Sequence, residues 1–231
     1  MLFRSPDSIE PGVNEITLTN DGEAPHSGQL LRTEGDYDEQ EVLEALGAAM
    51  EGKPFPEWFF AGGGVGTVPP GESVTVTQAL EPDSTFWLVD DESREPALEE
   101  LGTTGSGETG EIEQTGNVVS ASEYQFEAEG LTSGEPVTFE NVGEQPHHMI
   151  AQPFVGDATI EDVETFFKTE KGKPPVDFES QQATAVLEGG TSQVSGAELE
   201  PGRYALLCFI SDREGGPPHV ELGMIGEVEV E

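Results

Sequence analysis

The sequence predicts an all-β protein built as two tandem Greek-key β-sandwiches, each interrupted by one short helical insertion. Three observations carry that expectation. Apolar residues alternate in short runs separated by Gly, Pro and Asn turn signals. The chain repeats itself along its length. Each copy holds a single segment in which apolar residues recur at three- and four-residue spacing.

The repeat is read directly. ITLTNDGEAPHSGQLL (16–31) aligns without gaps on VTFENVGEQPHHMIAQ (137–152), so that Asn20, Gly22, Glu23, Pro25 and His26 match Asn141, Gly143, Glu144, Pro146 and His147. The helical patterns follow, DEQEVLEALGAAM (38–50) and TIEDVETFFKTEK (159–171), each after an acidic start. PGESVTVTQALEPDSTFWLVD (70–90) then matches GGTSQVSGAELEPGRYALLCF (189–209) through a shared Leu-Glu-Pro turn. EELGT (99–103) matches VELGM (220–224), and GEIEQ (110–114) matches GEVEV (226–230). Two domains are expected, residues 1–115 and 117–231, joined near Thr115 to Val119. The stretch TTGSGETGE (103–111) is expected to loop out, and GGGVG (62–66) to form a flexible turn. Trp58 and Trp87 are expected to pack in the first domain.

Composition excludes several functions. Nine basic residues face 47 acidic ones, a formal net charge of -38. The lysines (Lys53, Lys168, Lys171, Lys173) and five arginines form no basic patch, so no nucleic-acid binding is expected. Adaptation to concentrated salt accounts for the acidity, because at molar ionic strength the Debye length falls to about 3 Å and self-repulsion is screened. Halophilic surfaces have this character. With 34% hydrophobic residues, small cores remain possible. No apolar run is long enough for a membrane-spanning helix. MLFRSPDSIEPG lacks a signal-peptide core and is read as the edge of a first strand at Leu2 and Phe3, from a mature or upstream-shortened sequence.

Three of the four histidines and the single cysteine fall in the second copy. Ten residues separate Cys208 from His219, and four separate His219 from Met224. Two imidazoles and a thiolate in trigonal arrangement, with a weak axial thioether, suit one copper ion cycling between Cu(I) and Cu(II). Taken singly, each residue has a plainer reading: Cys208 or Met224 as core filler, His147 and His148 as partners in a turn. The carboxylate pairs Asp90-Asp91 and Glu99-Glu100 read as solvated surface.

The second copy resembles the cupredoxins, particularly plastocyanin and halocyanin. N-V-G-E-Q-P-H (141–147) is similar to the family's Asn–Gly–Pro-His segment, P-G-R-Y-A-L-L-C (201–208) to its Gly-x-Tyr-x-Phe-x-Cys strand, and H-V-E-L-G-M (219–224) to its His-x4-Met ending. The resemblance implies two tandem cupredoxin-like domains, with His147, Cys208, His219 and Met224 as copper ligands of the second. Two departures stand out. The loop from Phe209 to Pro218 is longer than in plastocyanin or azurin and nearer the copper domain of nitrite reductases. His148 stands where the family has Asn or Ser, so it either supports the site by a hydrogen bond or replaces His147 as ligand. Because His26 matches His147 while Ser27 matches His148, His147 is favoured. In the first copy Cys208 aligns with Asp90, His219 with Leu98 and Met224 with Thr103, leaving only His26. The resemblance further implies single-electron transfer rather than enzymatic catalysis, a redox protein partner, an extracytoplasmic location and an exposed His219 edge as electron exit. Open alternatives are a copper carrier without a fast redox role and a metal-free cell-surface interaction or structural module.

Overall fold

A computed structural model describes residues 4–6, 9–90, 92 and 98–231. In the first half the strands are β1 (Gly12–Thr19), β2 (His26–Thr33), β3 (Phe59–Val68), β4 (Ser73–Leu80), β5 (Thr85–Val89) and β6 (Leu98–Thr103). The second half holds β7 (Asn117–Ser122), β8 (Gln125–Ala128), β9 (Val137–Asn141), β10 (Ile150–Pro153), β11 (Gln182–Ala183), β12 (Ser192–Ser195), β13 (Gly202–Leu207) and β14 (Ile225–Val230). Helix α1 (Glu39–Met50) lies between β2 and β3, and α2 (Ile160–Thr169) between β10 and β11. The expected strand at Leu2 and Phe3 lies outside the described residues.

Both helices start for the same chemical reason. Asp38 and Thr159 each cap the N3 backbone N–H, while Glu41 and Asp162 reach back to the cap N–H. Val42, Ala45 and Leu46 of α1 then bury against Phe59, Trp87 and Val89, with Trp58 at the edge of that cluster. Val163 of α2 packs on Val176, Ala205 and Leu207. Full burial of such side chains stabilises by about 1.5–3 kcal/mol each.

The repeat survives in the strand register. Ile16 faces Val76 across β1 and β4, as Val137 faces Ser195 across β9 and β12. The two halves are also joined through a sheet. β4 pairs antiparallel with β12, with Gln78 opposite Gln193, so one six-stranded sheet runs β1-β4-β12-β9-β7-β8 through both halves. Each half covers this shared sheet with its own four strands, β3-β2-β5-β6 and β11-β10-β13-β14.

GGGVG is not a turn. It lies inside β3, where the register with β2 shifts between Gln29 and Leu31. Gly63 and Gly64 take φ of +74° and +101°, and Gly64 N–H donates to the Gln78 side chain. A Cβ on Gly66 would stand 1.9 Å from the Ala183 carbonyl. The glycines thus serve a bulge and a close approach between the halves, not a chain reversal. No described helix is long and apolar enough to cross a membrane.

Candidate metal centre

The loop that carries His147 is built by Asn141. Its side-chain amide donates to the Gln145 and Leu187 carbonyls, and its oxygen accepts from Gly143 N–H. Asn20 makes the same three bonds in the first half, to Ala24, Val68 and Gly22. The repeated Asn-x-Gly is therefore a loop-shaping device, in which a short amide replaces strand partners at a turn. Reciprocal backbone bonds between His147 and Leu187, 3.0 and 2.8 Å, fix the backbone that projects the imidazole inward.

Cys208 directly follows β13. The chain leaves through residues 209–218 and returns so that His219 N–H donates to the Ile210 carbonyl and Val220 N–H to the Cys208 carbonyl. That pairing closes the loop at its base and sets His219 beside Cys208. A tight turn follows, with Met224 N–H donating to the His219 carbonyl. Met224 is buried in the same apolar cluster as Cys208.

Three donor atoms converge. His147 Nδ1 and His219 Nδ1 lie 3.0 Å apart, and Cys208 Sγ lies 3.7 and 3.5 Å from them. A small metal ion with bonds of about 2.0–2.3 Å spaces such donors by about 3.3–3.8 Å, so the triangle is nearly the size of a trigonal or tetrahedral face. All three residues, and Met224, are fully buried. Among the described residues this is the group of His, Cys and acidic side chains whose donor atoms come together for a metal.

The protonation states favour metal. Burial, with the neighbouring His219 adding to it, lowers His147 to about 4. Burial lowers His219 too, against the opposing pull of Asp212. Both imidazoles are thus neutral donors near pH 7. His219 Nε2 donates to Asp212 Oδ1 at 3.1 Å, which leaves the lone pair on Nδ1, facing the triangle. Burial pushes the Cys208 thiol up to about 12, so a cation that takes the sulfur must displace its proton.

His148 stands apart from the triangle. Its Nε2 accepts from Phe209 N–H at 2.9 Å, one residue past Cys208, and burial lowers it to about 3. The structure thus brings His147 to Cys208 and His219, and gives His148 a backbone-supporting bond. The expected exposed edge of His219 is absent. Tyr124 packs edge-on at 5.3 Å and donates to Asp212 Oδ2 at 2.8 Å, so the pair covers the imidazole. Tyr124 holds φ of +62° to do so, at the two-residue turn between β7 and β8. A left-handed tyrosine carries strain that the surrounding contacts must hold. Asp212 was within reach of sequence reasoning, being inside the Cys-to-His loop; nothing in the sequence singled out Tyr124.

In the first half, Val89 stands opposite Gln29 as Leu207 stands opposite Ile150. Asp90 is therefore not the solvated surface residue expected: it is fully buried in the place of Cys208, where its carboxylate meets His26 Nδ1 at 2.8 Å. The alignment of His219 with Leu98 and Met224 with Thr103 does not hold. Leu98 pairs with Val89 as Ile225 pairs with Leu207, and Thr103 pairs with Thr85 farther along β6. Between Asp90 and Leu98 only Glu92 is described. The short stretch between Asp90 and Leu98 replaces a loop of sixteen residues, which defeats a gapless alignment.

No protein-family model matches the sequence, and no curated relative does. Among solved structures, the chain is similar to a dithionite-reduced auracyanin from the photosynthetic bacterium Roseiflexus castenholzii, at 24% identity over 49% of this chain and 94% of that one, with a TM-score of 0.32. It is also similar to a copper-containing nitrite reductase from Thermus scotoductus, at 12% identity over 96% of this chain and 53% of that one, TM-score 0.25. A multi-copper oxidase from Pediococcus acidilactici matches at 9% identity over 97% of this chain and 50% of that one, TM-score 0.24. The chain spans about half the length of the last two.

Proposed function

We propose that the protein is a single-electron carrier that holds one copper ion between His147 Nδ1, Cys208 Sγ and His219 Nδ1, with Met224 as a weak fourth ligand. The observation that supports this most is the convergence of those three buried donors. Copper at such a site supplies a Cu(I)/Cu(II) couple tuned by thiolate and thioether sulfur. The chain's own residues do the rest. The Asn141 loop and the residue after β13 hold two donors on separate, hydrogen-bonded segments, so neither swings freely. Asp212 fixes the His219 tautomer. His148 holds the Phe209 backbone beside the sulfur, and the apolar cluster around Met149, Leu206 and Met224 keeps water out. Residues 117–231 form the metal domain, and residues 1–115 a related domain that has lost the ligand set. A redox protein is the partner, in an extracytoplasmic setting, and no substrate chemistry is assigned to the site.

A second reading, a copper carrier without a fast redox role, draws on the full burial of His219, which leaves no imidazole edge at the surface. Titration of the full chain with Cu(II) in high salt separates the readings. One equivalent with an intense visible thiolate-to-copper band, lost in Cys208→Ala, supports the electron carrier. Colourless binding favours the carrier of copper, and no binding leaves a metal-free module.

A further inference from the structure

We infer that the first half braces the metal loop of the second, with Arg213 as the positioning residue that joins them. The inference rests on the reading that the triangle holds copper. Residues 209–218 link two of the three donors, so the freedom of this loop is the freedom of Cys208 and His219 relative to each other. Ordering one backbone residue opposes folding by about 1–2 kcal/mol, and ten residues need fixed partners.

The first half supplies four of the hydrogen bonds that hold this loop. Phe55 N–H donates to the Arg213 carbonyl at 2.7 Å, and Gly216 N–H to the Gly52 carbonyl at 2.9 Å. The Arg213 guanidinium donates to the Phe59 and Pro56 carbonyls at 3.0 and 3.3 Å, and stacks 4.8 Å from the Phe60 ring centroid. Its other arm meets Glu188 at 2.9 Å, and the same carboxylate oxygen accepts from Ala61 N–H of β3. Arg213 N–H donates to the Gln145 side chain, two residues before His147. One residue therefore ties both metal-bearing loops to the first half. The backbones are pressed together where this happens: a Cβ on Gly52 would stand 2.6 Å from the Gly216 carbonyl, and one on Gly215 2.7 Å from the Gly52 carbonyl.

A plain interface between halves would not need this concentration of polar bonds on one loop. The halves are also joined elsewhere, by β4 against β12 and by Gly63 N–H to the Val186 carbonyl at 3.1 Å. Removing the Arg213 side chain therefore loosens the loop, which keeps its backbone bonds to Phe55 and Gly52, without separating the halves. Lysine replaces it only in part, because the guanidinium meets Glu188 with one nitrogen and the two carbonyls with the other, a span that one ammonium nitrogen does not cover.

The test uses the full chain loaded with one equivalent of Cu(II), comparing Arg213→Ala, Arg213→Lys and Glu188→Gln with the parent. The expected result for Arg213→Ala is one bound copper with a shifted thiolate band and altered hyperfine splitting, and release to a chelator about 10–100-fold faster. Arg213→Lys and Glu188→Gln should fall between, in that order. Should Arg213→Ala fail to fold, Arg213→Lys carries the same comparison, since one ammonium nitrogen cannot reach Glu188 and both first-half carbonyls together. Unchanged spectrum and release rate in the folded variants overturn the brace. A parent chain without any thiolate band overturns the copper reading itself, a different and separable failure.

Discussion

His26 Nδ1 and Asp90 Oδ2 lie 2.8 Å apart in the first half, at the places His147 and Cys208 hold in the second. A carboxylate there satisfies the imidazole directly and also accepts from Ser27 N–H at 3.0 Å. Where the second half sets two imidazole nitrogens and a thiol toward one another, the first half joins imidazole and carboxylate by a hydrogen bond. We expect His26→Ala to leave copper stoichiometry at one per chain, counted by metal analysis. It should lower stability by about 1–3 kcal/mol, because Asp90 is fully buried and loses a partner. A drop to zero copper would contradict this division of roles.

The two adjacent histidines should separate cleanly. His147→Ala removes one corner of the triangle and is expected to abolish tight copper binding. His148→Ala removes the acceptor for Phe209 N–H and an edge-on ring contact with Phe209 but no corner of the triangle, so copper should remain at one per chain, with stability lower by about 1–3 kcal/mol. Copper analysis with chemical denaturation reads both effects, and the reverse pattern would make His148 the ligand.

Copper uptake should release one proton. The Cys208 thiol, raised to about 12 by burial, is protonated throughout the useful range, while His147, lowered to about 4, and His219, lowered by burial, are already neutral above pH 6.5. Between pH 6.5 and 9 the apparent affinity should therefore rise about tenfold per pH unit. Calorimetry in buffers of different ionisation enthalpy counts the proton. A flat profile would mean that the sulfur stays a thiol or takes no part.

Salt should stabilise the chain. With a formal net charge of -38, repulsion between surface carboxylates is screened as the Debye length falls from about 10 Å at 0.1 M to about 3 Å at 1 M. The melting temperature of the metal-free protein is expected to climb over that range. No change would remove the salt-adaptation reading of the composition.

Much of this was legible in the sequence because it depends on local rules. Asp38 and Thr159 announce their helices, and the matched Asn20 and Asn141 announce two loops of one design. His147, Cys208 and His219 were legible by residue type and order, although sequence alone left His148 open. What escaped depends on contacts between distant segments. GGGVG reads as a turn until β3 is seen pressed against Ala183, and the pairing of β4 with β12 has no mark in either strand. Tyr124 and Arg213 are ordinary residues in their own neighbourhoods. They matter because the fold sets one over His219 and the other between the halves.

The most direct measurement is an optical redox titration of the copper-loaded chain, following the thiolate band as the potential is stepped in both directions. The expected result is a reversible, one-electron transition per chain that is absent in Cys208→Ala. Copper that binds without the band, or that is lost or left unchanged on reduction, would contradict an electron-carrying centre at His147, Cys208 and His219.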